Sequence, residues 1–180
     1  MIGWALTAAG AVVGVGVLAF VAGSLLPRGH RSRVRARFTK PPELLFETIT
    51  DFAAWPSWNP SVRKMERQAD RNGKPVWLLT DANGKLPSCV ELMRAPGRDQ
   101  PGEIVTRIDD PKLPFGGTWT WRFALIDGGT EITITEEGEV KNPIFRLMSK
   151  LFFDPHGTAM KYLTALGKKH GDDVIPTPLR

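Results

Sequence analysis

Glu136 stands where a carboxylate is least expected. In the segment from Thr130 to Val140, Ile132 and Ile134 share one face of a strand. Period-two counting puts Glu136 on that same inward face unless a bulge intervenes. Burial without a cationic partner raises a carboxyl pKa, which suits a general acid or the polar anchor of an apolar cavity. A rim carboxylate paired with a lysine or arginine fits the same pattern, and Arg122 reaches Glu136 only if a bulge shifts the phase. Asp154 with His156 offers an acid-base pair by spacing, as does Asp51 with any nearby histidine. Helix-breaking chemistry accounts for Asp154-Pro155-His156-Gly157 without catalysis. The chain has no Ser-His-Asp order, glycine-rich phosphate loop or paired-carboxylate motif. Its single cysteine, Cys89, and three histidines, His30, His156 and His170, exclude a disulfide framework and lack metal-ligand spacing. Neither a metal nor a cofactor is expected.

Aromatic residues are the other candidates. Trp55, Pro56, Trp58 and Pro60 form a dense cluster that locks a helix-to-strand turn onto a core, with Trp58 also able to reach a cavity rim. Trp77, Trp119 and Trp121 line a cavity or fill a solid core, two options that sequence leaves open. The lone Tyr162 is a thin basis for phenol-assisted chemistry.

The elements that must carry these residues follow from periodicity. Val34 to Lys40 alternates as a strand, and Pro42 opens a helix with Glu43 in its first turn and Leu44, Leu45, Phe46 and Ile49 as its apolar face. Strands are expected at about 62–68, 75–81, 87–94, 103–109, 118–126 and 130–140, linked by Asp70-Arg71-Asn72-Gly73, Ala82-Asn83-Gly84 and Asp127-Gly128-Gly129 turns as an antiparallel meander. Trp119, Trp121, Phe123 and Leu125 form the buried face of one strand. Ile144, Phe145, Leu147, Met148, Leu151 and Phe152 recur at helical spacing, and Met160, Leu163 and Leu166 resume it after the break.

Residues 2–26 carry no charge or histidine. As a helix they extend on the order of 37 Å, more than the roughly 30 Å hydrocarbon core of a bilayer. A single membrane anchor over residues 1–27 is expected in preference to the competing reading, a cleaved signal peptide, because nothing basic precedes the run and its length suits an anchor. A basic linker at 28–33 follows, then one soluble domain at 34–170 and a flexible tail at 171–180. Arg28, Arg31, Arg33 and Arg35 face the membrane surface in this reading and bias the domain to the cytoplasmic side of the cell membrane. The net charge of +5 comes mostly from this flank, so no nucleic-acid partner is expected. Gly10 and Gly14 form a small-xxx-small face that allows a weak homodimer.

Arg35 to Lys40 with Pro41-Pro42-Glu43-Leu44-Leu45-Phe46 resembles the opening of the START-like superfamily. So does Thr50-Asp51-Phe52-Ala53-Ala54-Trp55-Pro56-Ser57-Trp58-Asn59-Pro60, and so does the strand from Gly128 to Glu139. The superfamily includes polyketide cyclase/dehydrase and lipid-transport proteins. The resemblance implies an α+β helix-grip fold, an antiparallel sheet of about seven strands around a long C-terminal helix. It also implies a cavity for an apolar small molecule or membrane lipid, lined here by Trp58, Trp77, Thr106, Trp119, Trp121, Ile134, Glu136, Met148 and Phe152. Non-catalytic binding is favoured. A cyclase or dehydrase using Glu136 and a structural protein without ligand are the alternatives.

Overall fold

The computed structural model describes residues 14, 16–82, 84–97, 100–108 and 110–179. Helix α1 covers residues 16–25. It leads into strand β1 (Gly29–Phe38), helix α2 (Pro42–Thr50), a 3-10 turn (Phe52–Ala54) and the short helix α3 (Trp55–Trp58). Strands β2 (Lys64–Arg71), β3 (Lys74–Thr80), β4 (Lys85–Arg94), β5 (Gly102–Ile108), β6 (Phe115–Ile126) and β7 (Gly129–Val140) follow. The chain closes with helices α4 (Pro143–Phe152) and α5 (Gly157–His170) and strand β8 (Thr177–Leu179). The strands form one antiparallel sheet in the order β2-β3-β4-β5-β6-β7-β1-β8.

Local chemistry explains the turns. Asn72 and Gly73 have φ of 52° and 73°, and two consecutive positive φ values match the right-handed twist of a two-residue hairpin between β2 and β3. Pro42 starts α2, whose Leu45 and Ile49 are buried. Gly171, at φ 71°, ends α5 in the left-handed conformation. On α5, Ala159, Tyr162, Leu163 and Leu166 are buried at helical spacing, and with Val34, Ile104, Trp121, Phe123, Ile132 and Ile134 of the sheet they make the core. This is the expected helix-grip arrangement, an antiparallel sheet with the C-terminal helix on its inner face.

Three expectations change. The stretch 28–33, expected as a linker, is largely strand: β1 begins at Gly29, and its outward arginines pair with β7, Arg31 to Glu137 at 3.3 Å and Arg35 and Arg37 to Glu131 at 3.8 and 3.2 Å. The tail is ordered. Asp172 accepts from the Thr39 amide at 2.9 Å and the Thr39 hydroxyl at 2.6 Å, Val174 is buried, and β8 pairs with β1 as an eighth strand. Leu125 is 72 % exposed because β5 stops opposite Phe123 and leaves the end of β6 without a neighbour on that side.

The expected anchor falls mostly outside the described residues, which leave out 1–13 and Val15, and Gly10 of the expected dimer face is among them. Among the described residues no helix is long and apolar enough to cross a membrane.

Candidate functional site

The inner face of the sheet is layered by its register. One row runs Ser32, Glu136, Trp119, Thr106 across β1, β7, β6 and β5; the next runs Val34, Ile134, Trp121, Ile104. The second row is buried and apolar except for the Trp121 N–H. The first mixes polar groups with Trp119, so polarity rises toward the end of the sheet from which α4 departs.

Tyr162 projects from α5 into the aromatic side chains. Its ring centroid lies 5.3 Å from Trp55, 5.4 Å from Trp58, 6.0 Å from Trp121 and 6.2 Å from Trp119, mostly edge-on. Edge-to-face contacts at these separations add to the burial of the rings themselves. Trp77 joins the margin of this group through Phe52, at 5.6 Å.

Hydrogen bonding separates the structural rings from the others. Trp55 donates through Nε1 to the Ile49 carbonyl at 2.9 Å, which fixes α3 against α2. The Nε1 atoms of Trp58 and Trp121 and the hydroxyl of Tyr162 are buried with no hydrogen-bond partner. A buried donor without a partner costs about 1–3 kcal/mol, so three in one aromatic cluster are a costly arrangement. They make an apolar surround with N–H and O–H donors set into it, suited to an apolar molecule that carries an acceptor oxygen. Burial holds the Tyr162 phenol well above its usual pKa, so it remains protonated and acts as a donor.

Glu136 sits where period-two counting puts it. The β6–β7 and β1–β7 registers run through it without a bulge, opposite Trp119 and Ser32. Its partner is His30, Nε2 to Oε1 3.5 Å, and among the described residues no lysine or arginine forms an ion pair with it. Arg122 lies on the outer face and donates to Glu103 Oε1 at 3.0 Å. His30 reaches Glu136 by lying across Gly138, its cross-strand neighbour, where a Cβ would collide with the imidazole. The Ser32 hydroxyl beside Glu136 is also buried and unpartnered.

The expected lining residues divide. Trp58, Trp119 and Trp121 gather around Tyr162, Thr106 and Glu136 flank Trp119, and Ile134 lies beneath in the core. Met148 and Phe152, expected in the cavity, are instead 46 % and 69 % exposed on α4. Helical spacing identified an apolar face on α4 but not the medium that face meets. The Asp154–His156 pair is a turn: Asp154 Oδ1 accepts from the His156 amide at 2.9 Å. Asp51 caps the 3-10 turn by accepting from the Ala54 amide at 3.3 Å. Sequence reading undervalued Tyr162 and did not single out Ser32; the Ala159, Tyr162, Leu163, Leu166 spacing carried the signal for Tyr162.

Among the described residues, one concavity of about 680 Å³ has His30, Thr118 and Glu137 in its wall, and another of about 340 Å³ lies between Pro96 and Phe123. Around Tyr162 the rings are in contact. Among the described residues no cluster of three or more His, Cys, Asp or Glu side chains is placed to hold a metal ion.

An antiparallel sheet with a C-terminal helix across an aromatic inner face defines a helix-grip protein. Residues 29–161 match the polyketide cyclase/dehydrase and lipid transport family, and the chain belongs to that family. Similar solved structures share the fold at low identity. The Zhui aromatase/cyclase from Streptomyces superposes with a TM-score of 0.62 at 14 % identity, over 79 % of this chain and 94 % of its own. Norcoclaurine synthase from Thalictrum flavum, solved with dopamine and hydroxybenzaldehyde, gives 0.62 at 11 %, over 83 % and 90 %. A START superfamily protein from Mycobacterium smegmatis gives 0.53 at 18 %, over 79 % and 97 %. The chain spans about half of a di-domain aromatase/cyclase of the steffimycin pathway, 52 % of its length. No curated protein matches the chain in sequence.

Proposed function

We propose that this chain is a membrane-tethered binding module that takes an apolar small molecule bearing an acceptor oxygen, a lipid carbonyl or a ketone, between the sheet and α5. The observation that carries this reading is the trio of unpartnered donors, Trp58 Nε1, Trp121 Nε1 and Tyr162 Oη, inside one aromatic cluster. The bound oxygen would accept from these donors, while the chain of the ligand displaces ring-to-ring contacts with contacts of its own. Thr106 and Glu136 border the entrance from the polar row. The uncharged run at 2–26 supplies the tether, which keeps the site in a region rich in lipidic molecules. The domain faces the cytoplasm, by the arginines after the run.

Tryptophan fluorescence tests the ligand class. Titrating the full chain with a long-chain ketone and with the alkane of equal length should give about ten-fold or more tighter binding of the ketone, the worth of a hydrogen bond to an otherwise unpaired donor. Equal affinities would remove the role of the donors. A reporter fused to the C terminus tests the orientation.

The contact between His30 and Glu136 favours a second reading, a cyclase- or dehydrase-like enzyme in which this pair exchanges a proton with a bound ketone. The two separate on Glu136→Gln: turnover of a polyketone thioester would vanish if the pair is catalytic, with ketone binding retained.

A further inference from the structure

Helix α4 is turned inside out. Its buried residue is Arg146, which donates through Nη1 to the Leu26 carbonyl at 2.8 Å and through Nη2 to the Lys141 carbonyl at 3.4 Å. Its apolar residues Ile144, Phe145, Met148, Leu151 and Phe152 are exposed, and Phe153 after it is 72 % exposed. At 100° per residue, Ile144, Phe145, Leu147, Met148, Leu151 and Phe152 fall within about 160° of the helix circumference, with Arg146, Ser149 and Lys150 opposite. Such a sharp division, with the apolar side outward, has no support from the rest of the fold. On α5, by contrast, the apolar side faces the core. An exposed apolar surface of this extent marks an interaction site.

What covers it is indicated by its neighbour. Gly23 of α1 packs so closely on Pro143 that a Cβ there would strike the Pro143 carbonyl, and Arg146 holds the Leu26 carbonyl just beyond α1. The α4 face is therefore continuous with the uncharged run, whose Val17, Leu18, Phe20, Val21 and Leu25 are also exposed. Exposed Arg28 and Lys141 follow the uncharged run and precede α4 in the chain, as basic groups do at the head-group level of a bilayer. We propose that α4 lies in the membrane interface, with Phe145, Met148, Leu151 and Phe152 embedded among lipid acyl chains beside the tether. The bilayer then bears on two elements of the chain, which fixes the orientation of the domain and sets the polar end of the inner sheet face toward the lipid surface. This inference rests on the membrane-tethered reading above.

Single cysteines at Phe145, Ser149, Lys150 and Leu151, each carrying an environment-sensitive dye, test this in the full chain reconstituted into vesicles of phosphatidylcholine with anionic lipid. A fifth dye at Phe20 reports on the tether, with Cys89 left buried in place. Nitroxides on the lipid acyl chains should quench the dyes at Phe145 and Leu151 about three-fold or more over those at Ser149 and Lys150, as expected for a helix lying in the interface. Aqueous iodide should give the reverse order. Equal iodide quenching at all four positions would overturn the proposal. So would protection of Phe145 and Leu151 from both quenchers with energy transfer between labelled copies, which would assign the face to a second copy of the chain. Lipid quenching at Phe20 without any at α4 sinks this inference alone, whereas its absence at Phe20 sinks the tether. If the labelled variants fail to fold, photoactivatable lipid crosslinked to the unmodified chain serves instead: adducts on 144–153 support the proposal, and adducts confined to residues before Pro27 overturn it.

Discussion

At the scale of single residues, the most informative groups are those the fold satisfies least. Tyr162 makes no hydrogen bond, so Tyr162→Phe removes a desolvated hydroxyl without breaking a protein contact. Thermal unfolding should show the empty variant at least as stable as the wild type, by about 1 kcal/mol, with ketone affinity about ten-fold weaker. A loss of stability on this change would mean that the hydroxyl already has a structural partner. Two glycines of β7 give a second contrast. At Gly138 the nearest atoms a new methyl meets belong to the His30 ring, a movable side chain, so Gly138→Ala should cost under about 1 kcal/mol and displace that ring from Glu136, read by NMR as a change in the His30 imidazole resonances. At Gly129 the methyl meets the Phe38 backbone carbonyl at φ 152°, so Gly129→Ala should be destabilising by about 2 kcal/mol or more in a denaturant melt. The inward phase of Glu136 was legible because strand periodicity survives when no bulge interrupts it. The partnership with His30 was not, since His30 lies 106 positions earlier and meets Glu136 only through the β1–β7 register.

Among the elements, the meander and α2 are readable from turn residues and alternation to within a few positions. Both ends of the domain were harder to read. β1 starts early because Gly29 to Arg33 find partners on β7, and β8 exists because Asp172 and the edge of β1 hold a stretch whose two prolines argue against a strand. Burial alone would raise the Asp172 pKa, but the Thr39 hydroxyl and amide and the Lys40 charge outweigh it and lower the value below the usual aspartate range. The carboxylate therefore stabilises the fold above the unfolded pKa near 4, and this contribution is lost as pH falls through the lower folded pKa. Hydrogen exchange should show β8 amides losing protection in acid in the wild type. Asp172→Asn should lower their protection at neutral pH by about 1 kcal/mol and flatten the acid dependence. Asn142 caps α4, its side chain accepting from the amides of Ile144 at 2.9 Å and Phe145 at 3.3 Å. Asn142→Ala should cost about 1 kcal/mol, measured by unfolding of the full chain.

For the whole molecule, the sheet order brings residues far apart in sequence onto one inner face, and the C-terminal helix closes it with Tyr162 at the centre. The grip was anticipated from the order of elements. The packed state of the aromatic cluster was not, because side-chain volume and ring orientation decide whether an inner face is hollow or filled, and neither is written in periodicity. Whether this cluster opens for one apolar molecule with an acceptor oxygen is decided by native mass spectrometry of the full chain released from lipid nanodiscs after annular lipid is stripped by gas-phase activation. The wild type should show a population heavier by one small apolar molecule, and Tyr162→Phe a marked fall in that population. A chain that emerges only at its own mass, compact and unoccupied even after incubation with excess long-chain ketone, would contradict that opening.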